Sequence, residues 1–117
     1  MFKTRRGMKL AVVGSRNLTN IELEKYISEE VEEIVSGGAV GVDSCAAEYA
    51  KRAGLRLTEI LPKYETYGRA APIVRNREIV EYSDKILVFW NGSSRGTLSV
   101  IKYAEKTGKP CEVILCE

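Results

Sequence analysis

The chain divides into short continuous apolar runs and longer stretches in which apolar positions recur at helical spacing. Leu10-Ala11-Val12-Val13 is one such run, closed by Gly14, and predicts a strand buried on both faces. Asn17-Leu18-Thr19-Asn20 supplies polar capping residues, after which Ile21, Leu23, Ile27 and Val31 predict the inner stripe of a helix. Ile34-Val35 predicts a brief second strand. Cys45, Ala46, Tyr49, Ala50 and Ala53 predict a helix from Ser44 to Ala53, ended by Gly54. Leu57 to Leu61 reads as a third strand closed by Pro62, with a loop from Lys63 to Pro72 after it. Ile73, Ile79, Val80 and Tyr82 then predict a helix from Ile73 to Tyr82. Lys85 to Trp90 is the most strand-like run. Thr97 to Thr107 reads as a helix with Leu98, Ile101 and Ala104 on one side and Gly108 at its end, and Cys111 to Leu115 as a last strand.

This alternation predicts an α/β fold, with one domain over residues 8–117 and a mostly parallel sheet of about five strands covered by helices on both faces. Ligands of such sheets bind beyond the carboxyl ends of the strands. The turns at Gly14-Ser15-Arg16, Ser36 to Asp43, Pro62-Lys63 and Asn91 to Thr97 all follow strands, so all are expected at one edge. Residues 1–7 read as a loose start with no functional weight.

Two of these turns carry candidate chemistry. Ser36-Gly37-Gly38-Ala39-Val40-Gly41-Val42-Asp43 lets backbone amides approach a ligand because no Cβ intervenes, and the helix that follows presents orphan N–H groups suited to a phosphate. Asn91-Gly92-Ser93-Ser94-Arg95-Gly96-Thr97 repeats the arrangement, with hydroxyls of Ser94 and Thr97 beside Gly96. Gly37, Gly38, Gly41, Ser94, Gly96 and Thr97 are the expected phosphate holders, and helix capping or tight packing is the competing role for each. Arg16 offers bidentate charge. Asp43 either takes a ribose hydroxyl or serves the helix dipole. Arg75 and Asn76 open a helix and either face the site or tie down the preceding loop. Lys63, Tyr64 and Tyr67 could hold a base or merely cover a core edge, and Trp90 is expected to pack. Glu48 and Glu78 are the nearest carboxylates, neither with a partner that would make a nucleophile and base pair.

Composition narrows the classes. A chain of 117 residues with 44% apolar and 29% charged positions supports one globular domain with its own core. A net charge of +2 disfavours nucleic acid as the ligand, and no apolar run is long enough to cross a membrane. With no histidine, and three cysteines at 45, 111 and 116 that lack metal-ligand spacing, no metal is expected. The odd cysteine count points to a reducing cytoplasm.

Gly14-Ser15-Arg16, Ser36-Gly37-Gly38-Ala39 with Gly41-Val42-Asp43, Tyr67-Gly68, Arg75-Asn76, Asp84, and Ser94 with Gly96-Thr97 together resemble the SLOG superfamily, over nearly the whole chain from Met8. The resemblance implies a Rossmann-like fold and a nucleotide or nucleotide-derived ligand, bound by a sensor or carrier with no other cofactor. The superfamily also holds LOG-type phosphoribohydrolases, molybdenum cofactor carriers and a DNA-binding protein of natural transformation, so glycosidic hydrolysis and single-strand binding are the alternatives. Relatives often associate through helices, which makes a homo-oligomer the expectation. The phosphoribohydrolases carry a glutamate three positions after their Gly-Thr. Val100 stands there in this chain and can neither ionise nor steady an oxocarbenium-like centre.

Overall fold

The computed structural model describes residues 7–116. Its strands are β1 (Met8–Gly14), β2 (Val31–Ser36), β3 (Arg56–Glu59), β4 (Lys85–Trp90) and β5 (Cys111–Leu115). The helices are α1 (Val42–Ala53), α2 (Tyr64–Tyr67), α3 (Ala71–Tyr82) and α4 (Arg95–Thr107). All strand pairs are parallel, in the order β3-β2-β1-β4-β5. The α/β, Rossmann-like architecture expected from the sequence is therefore present. Strand order reverses between β1 and β4, which places the crevice between their carboxyl ends.

Each face of the sheet has its own apolar layer. On one face Leu10, Val12, Ile34, Leu87 and Phe89 pack against Val42, Ala46 and Ala50 of α1 and against Leu18 and Leu23 of the β1–β2 connection. Tyr26 closes that side edge-on to Phe89, with ring centroids 5.3 Å apart. On the other face Ala11, Val35, Ile86 and Val88 meet Ile79 and Val80 of α3 and Val100 and Ala104 of α4. Strands buried on both sides need apolar residues at successive positions, and the runs at Leu10 and Ile86 supply them. Helices α1 and α4 end on Gly54 and Gly108, each left-handed, with φ of +71° and +74°.

Several expectations are corrected. The stripe Ile21, Leu23, Ile27 and Val31 forms no α-helix: only a 3-10 turn, Leu23–Lys25, lies there, and Val31 already belongs to β2. Asn20 is left-handed (φ +57°), and the Val31 and Glu30 amides donate to the Ser28 carbonyl and hydroxyl, so local turns replace helical bonds. The stretch predicted as loop before Pro72 contains α2 and a 3-10 turn, Gly68–Ala70, and Pro72 sits in the first turn of α3, where its missing N–H has no helical acceptor to lose. Ile73 and Tyr82 point outward rather than into the core. β3 stops at Glu59, which releases Leu61 to the site. The loose start lies outside the described residues except for Gly7. No helix among the described residues is long and apolar enough to cross a membrane.

Candidate functional site

A cleft of about 410 Å³ opens beyond the carboxyl ends of the strands. It gathers Gly14 and Arg16 after β1, Gly37, Gly38, Ala39 and Asp43 after β2, Arg75 and Asn76 of α3, and Ser94, Gly96 and Thr97 at the start of α4. Every sequence-predicted site residue except Ser15 and Gly41 therefore lines one cavity, as ligand sites at a reversal of strand order require.

The two exceptions build the walls. Ser15 is buried; its amide donates to the Phe89 carbonyl (3.1 Å) and its Oγ accepts the Asn91 amide (3.2 Å), which ties the turns after β1 and β4 together. Gly41 caps α1 with φ +79°, and a Cβ there would collide with the Arg16 carbonyl.

The glycine loop after β2 is held mainly by its own neighbours. The Gly38 amide donates to Ser36 Oγ (3.2 Å), and the Ala39 amide to Asp43 Oδ2 (3.0 Å). Asp43 is only 7% exposed. Burial, the largest influence, pushes its carboxyl above the ordinary range. The Ala39 amide, Arg75 and the Gly37 amide pull the other way without overcoming it, and Glu59 adds to the rise. Arg75 Nη1 donates to the Gly37 carbonyl (2.7 Å) and Nε to Asn76 Oδ1 (3.0 Å). Asn76 Nδ2 reaches on to Ser99 Oγ (3.1 Å) and the Gly96 carbonyl (3.4 Å). One hydrogen-bonded chain thus spans the cleft floor from the glycine loop to α4. Arg75 faces the cleft, and the loop it ties down is the glycine loop after β2, not the loop that precedes α3.

The turn after β4 is shaped by Asn91, whose Oδ1 accepts the amides of Ser93 and Ser94, both at 2.9 Å. Trp90 packs as expected and also donates from Nε1 to the Ser94 carbonyl (3.0 Å). Ser94 caps α4 by accepting the Thr97 amide (3.3 Å), and its hydroxyl meets that of Thr97 at 3.1 Å. The amides of Arg95 and Gly96 find no acceptor among the described residues. Arg16 is exposed and has no ion-pair or hydrogen-bond partner among them.

The sequence points to no site role for Val13, Leu61, Pro72 and Ile79, although all line the cleft, and Pro62, whose turn is expected at this edge, lines it too. Leu61 reads as strand in the sequence, but β3 ends at Glu59, and Leu61 Cδ2 lies 2.5 Å from where a Cβ on Gly38 would stand. Of the weighed aromatics Tyr64 lines the cleft. Lys63 instead pairs with Glu78 (3.7 Å) in a neighbouring groove of about 530 Å³ along β3 and α3. That groove is larger, but it lacks glycine turns and open helix amides, so the candidate site is the cleft. Asp43 is the sole acidic residue among the cleft's lining residues. Val100 is fully buried in the apolar layer beneath α4, so a glutamate there would enter the core. No group of three or more side chains that could hold a metal ion occurs among the described residues.

The model of the family described as DNA recombination-mediator protein A matches residues 2–63, more than half of the chain. The chain belongs to this family. The matched span contains the turn after β1 and the whole glycine loop with Asp43, and it ends before Arg75, Asn76 and the turn of α4. The SLOG-type resemblance is supported by this match. No curated protein matches the chain.

Proposed function

We propose that the chain binds a nucleotide or nucleotide derivative in the cleft, as a cytoplasmic, homo-oligomeric sensor or carrier and with no metal. The observation that carries this reading is the convergence of complementary chemistry in one cavity. The open amide of Gly96, the hydroxyls of Ser94 and Thr97 and the spare N–H groups of Arg75 suit a phosphate. Leu61, Pro62 and Tyr64 offer an apolar and aromatic wall for a base. Arg16, exposed at the rim, adds charge. A cavity of this size accommodates a single small ligand.

Thermal shifts against nucleoside mono- and diphosphates, ADP-ribose, dinucleotides and cyclic nucleotides test the reading. A ligand at a hundred times its dissociation constant stabilises by roughly 2.7 kcal/mol, well above detection. Recovery of the ligand unchanged supports a binder, and release of free base would make the chain a glycosidic hydrolase. Silence across the panel would remove the nucleotide reading.

A second reading is single-stranded DNA binding. It is favoured by the description of the family to which the chain belongs and by exposed Tyr64 and Arg16 lining the cleft. It requires affinity for an oligonucleotide that falls steeply with salt.

A further inference from the structure

The geometry points to a sugar-hydroxyl seat on Asp43: the vicinal diol of a ribonucleotide, and not its phosphate, lies against the glycine loop. The inference rests on the nucleotide reading of the same cleft and specifies which half of the ligand each loop holds.

Three observations carry it. First, two of the amides that would form an anion cradle in the glycine loop are engaged, that of Gly38 with Ser36 Oγ and that of Ala39 with Asp43 Oδ2. Second, the Asp43 carboxylate is itself the anion of that loop. It is 7% exposed and lines the cavity, so a phosphate brought to it would meet a like charge in a poorly screened setting. Third, a carboxylate has about four acceptor positions, and the neighbouring amides fill only part of them. A donor on the ligand completes the set. Arg75, the cation whose charge acts on Asp43, gives Nη1 to the Gly37 carbonyl and Nε to Asn76, and among the described residues it makes no hydrogen bond to the carboxylate.

A nucleotide offers its 2′- and 3′-hydroxyls as such donors, while its phosphate goes to the turn of α4, where amides are open. Among the described residues no other acidic side chain lines the cleft, so the preference for the diol depends on Asp43. Losing a hydrogen bond to a buried charged acceptor weakens binding by about tenfold or more.

Isothermal titration of the full chain with AMP, UMP and 2′,3′-dideoxy-AMP tests this directly. AMP and UMP are expected to bind about tenfold or more tightly than the dideoxy nucleotide. In Asp43→Asn, which keeps an acceptor for the Ala39 amide, the gap between AMP and its dideoxy form should shrink to about twofold. The wild-type comparison stands without the variant. Equal affinity of AMP and dideoxy-AMP overturns the inference and leaves the nucleotide reading intact. AMP favoured over UMP but not over its dideoxy form would mean that Asp43 takes a base amine, which also overturns it. Binding of none of the three removes the nucleotide-monophosphate site itself, and the diol seat with it.

Discussion

The loop after β2 and the loop after β4 both carry the chain from a parallel strand into a helix, and both are rich in glycine and serine. Their amides are used differently. In the first, Ser36 and Asp43 accept the N–H groups of Gly38 and Ala39, and a buried carboxylate stands beside the loop. In the second, Asn91 and Ser94 satisfy Ser93, Ser94 and Thr97, and the amides of Arg95 and Gly96 find no acceptor among the described residues. Glycine makes close approach possible in both. The side chains set into each loop decide what can approach: a hydroxyl at the first, a phosphate at the second.

Substitutions that separate the two loops should differ widely in effect. Gly41→Ala is the most damaging, because it combines a left-handed backbone with a clash against the Arg16 carbonyl. A loss of about 3 kcal/mol or more in urea unfolding is expected. Arg75→Ala comes next: it frees the Gly37 carbonyl and breaks the chain of bonds to Asn76, with about 1–3 kcal/mol lost and phosphate ligands weakened. Lysine at 75 should restore little of this, since it lacks the planar fork.

A subtler contrast lies between two buried carboxyls. Asp43 has a raised folded pKa, so the native state holds its proton more tightly than the unfolded chain does, and stability falls as pH rises through that range. Asp43→Asn should therefore gain on the wild type as pH increases from about 3 to 7. Glu33, at β2 away from the cleft, behaves in the opposite way. Burial works to raise its pKa, but hydrogen bonds from Thr58 and Tyr82, both 2.6 Å, with Arg56 and Lys9, prevail and hold it below the ordinary range. Its stabilisation is present above the unfolded carboxyl value and is lost as pH falls through the folded one. Glu33→Gln should cost about 1–3 kcal/mol at neutral pH, with the penalty shrinking in acid. The smallest effect is expected at Gly96→Ala. Apart from its chain neighbours and its own helix backbone, no atom of the described residues lies within 4 Å of the added methyl, and the gain in helix propensity is at most about 1 kcal/mol, read as a slight rise in melting temperature.

The comparison also explains what the amino-acid order could and could not reveal. The runs at Leu10 and Ile86 are legible because a doubly buried strand needs unbroken apolar residues, and the positions of their turns follow from the parallel topology. The stripe from Ile21 to Val31 misled, since its apolar residues are buried by a turn-rich segment rather than by a helix; burial sets the spacing and hydrogen bonds set the conformation. Val100 is a core residue because α4 turns Thr97, Val100 and Ala104 inward, a face displaced from the one marked by Leu98 and Ile101. The different states of the two glycine loops were hidden for another reason. Asp43 lies four residues from the amide it accepts, but Arg75 lies 38 from the carbonyl it holds, and only the folded sheet brings them together.

The most direct test is an amide nitrogen–proton correlation spectrum recorded during titration with AMP and, separately, with adenosine. Shifts at Arg95 and Gly96 that appear with AMP and not with adenosine are expected, while Gly38 and Ala39 respond alike to both ligands. Phosphate-dependent shifts at Gly38 and Ala39, with Arg95 and Gly96 unmoved, would contradict the assignment of the anion to the turn of α4.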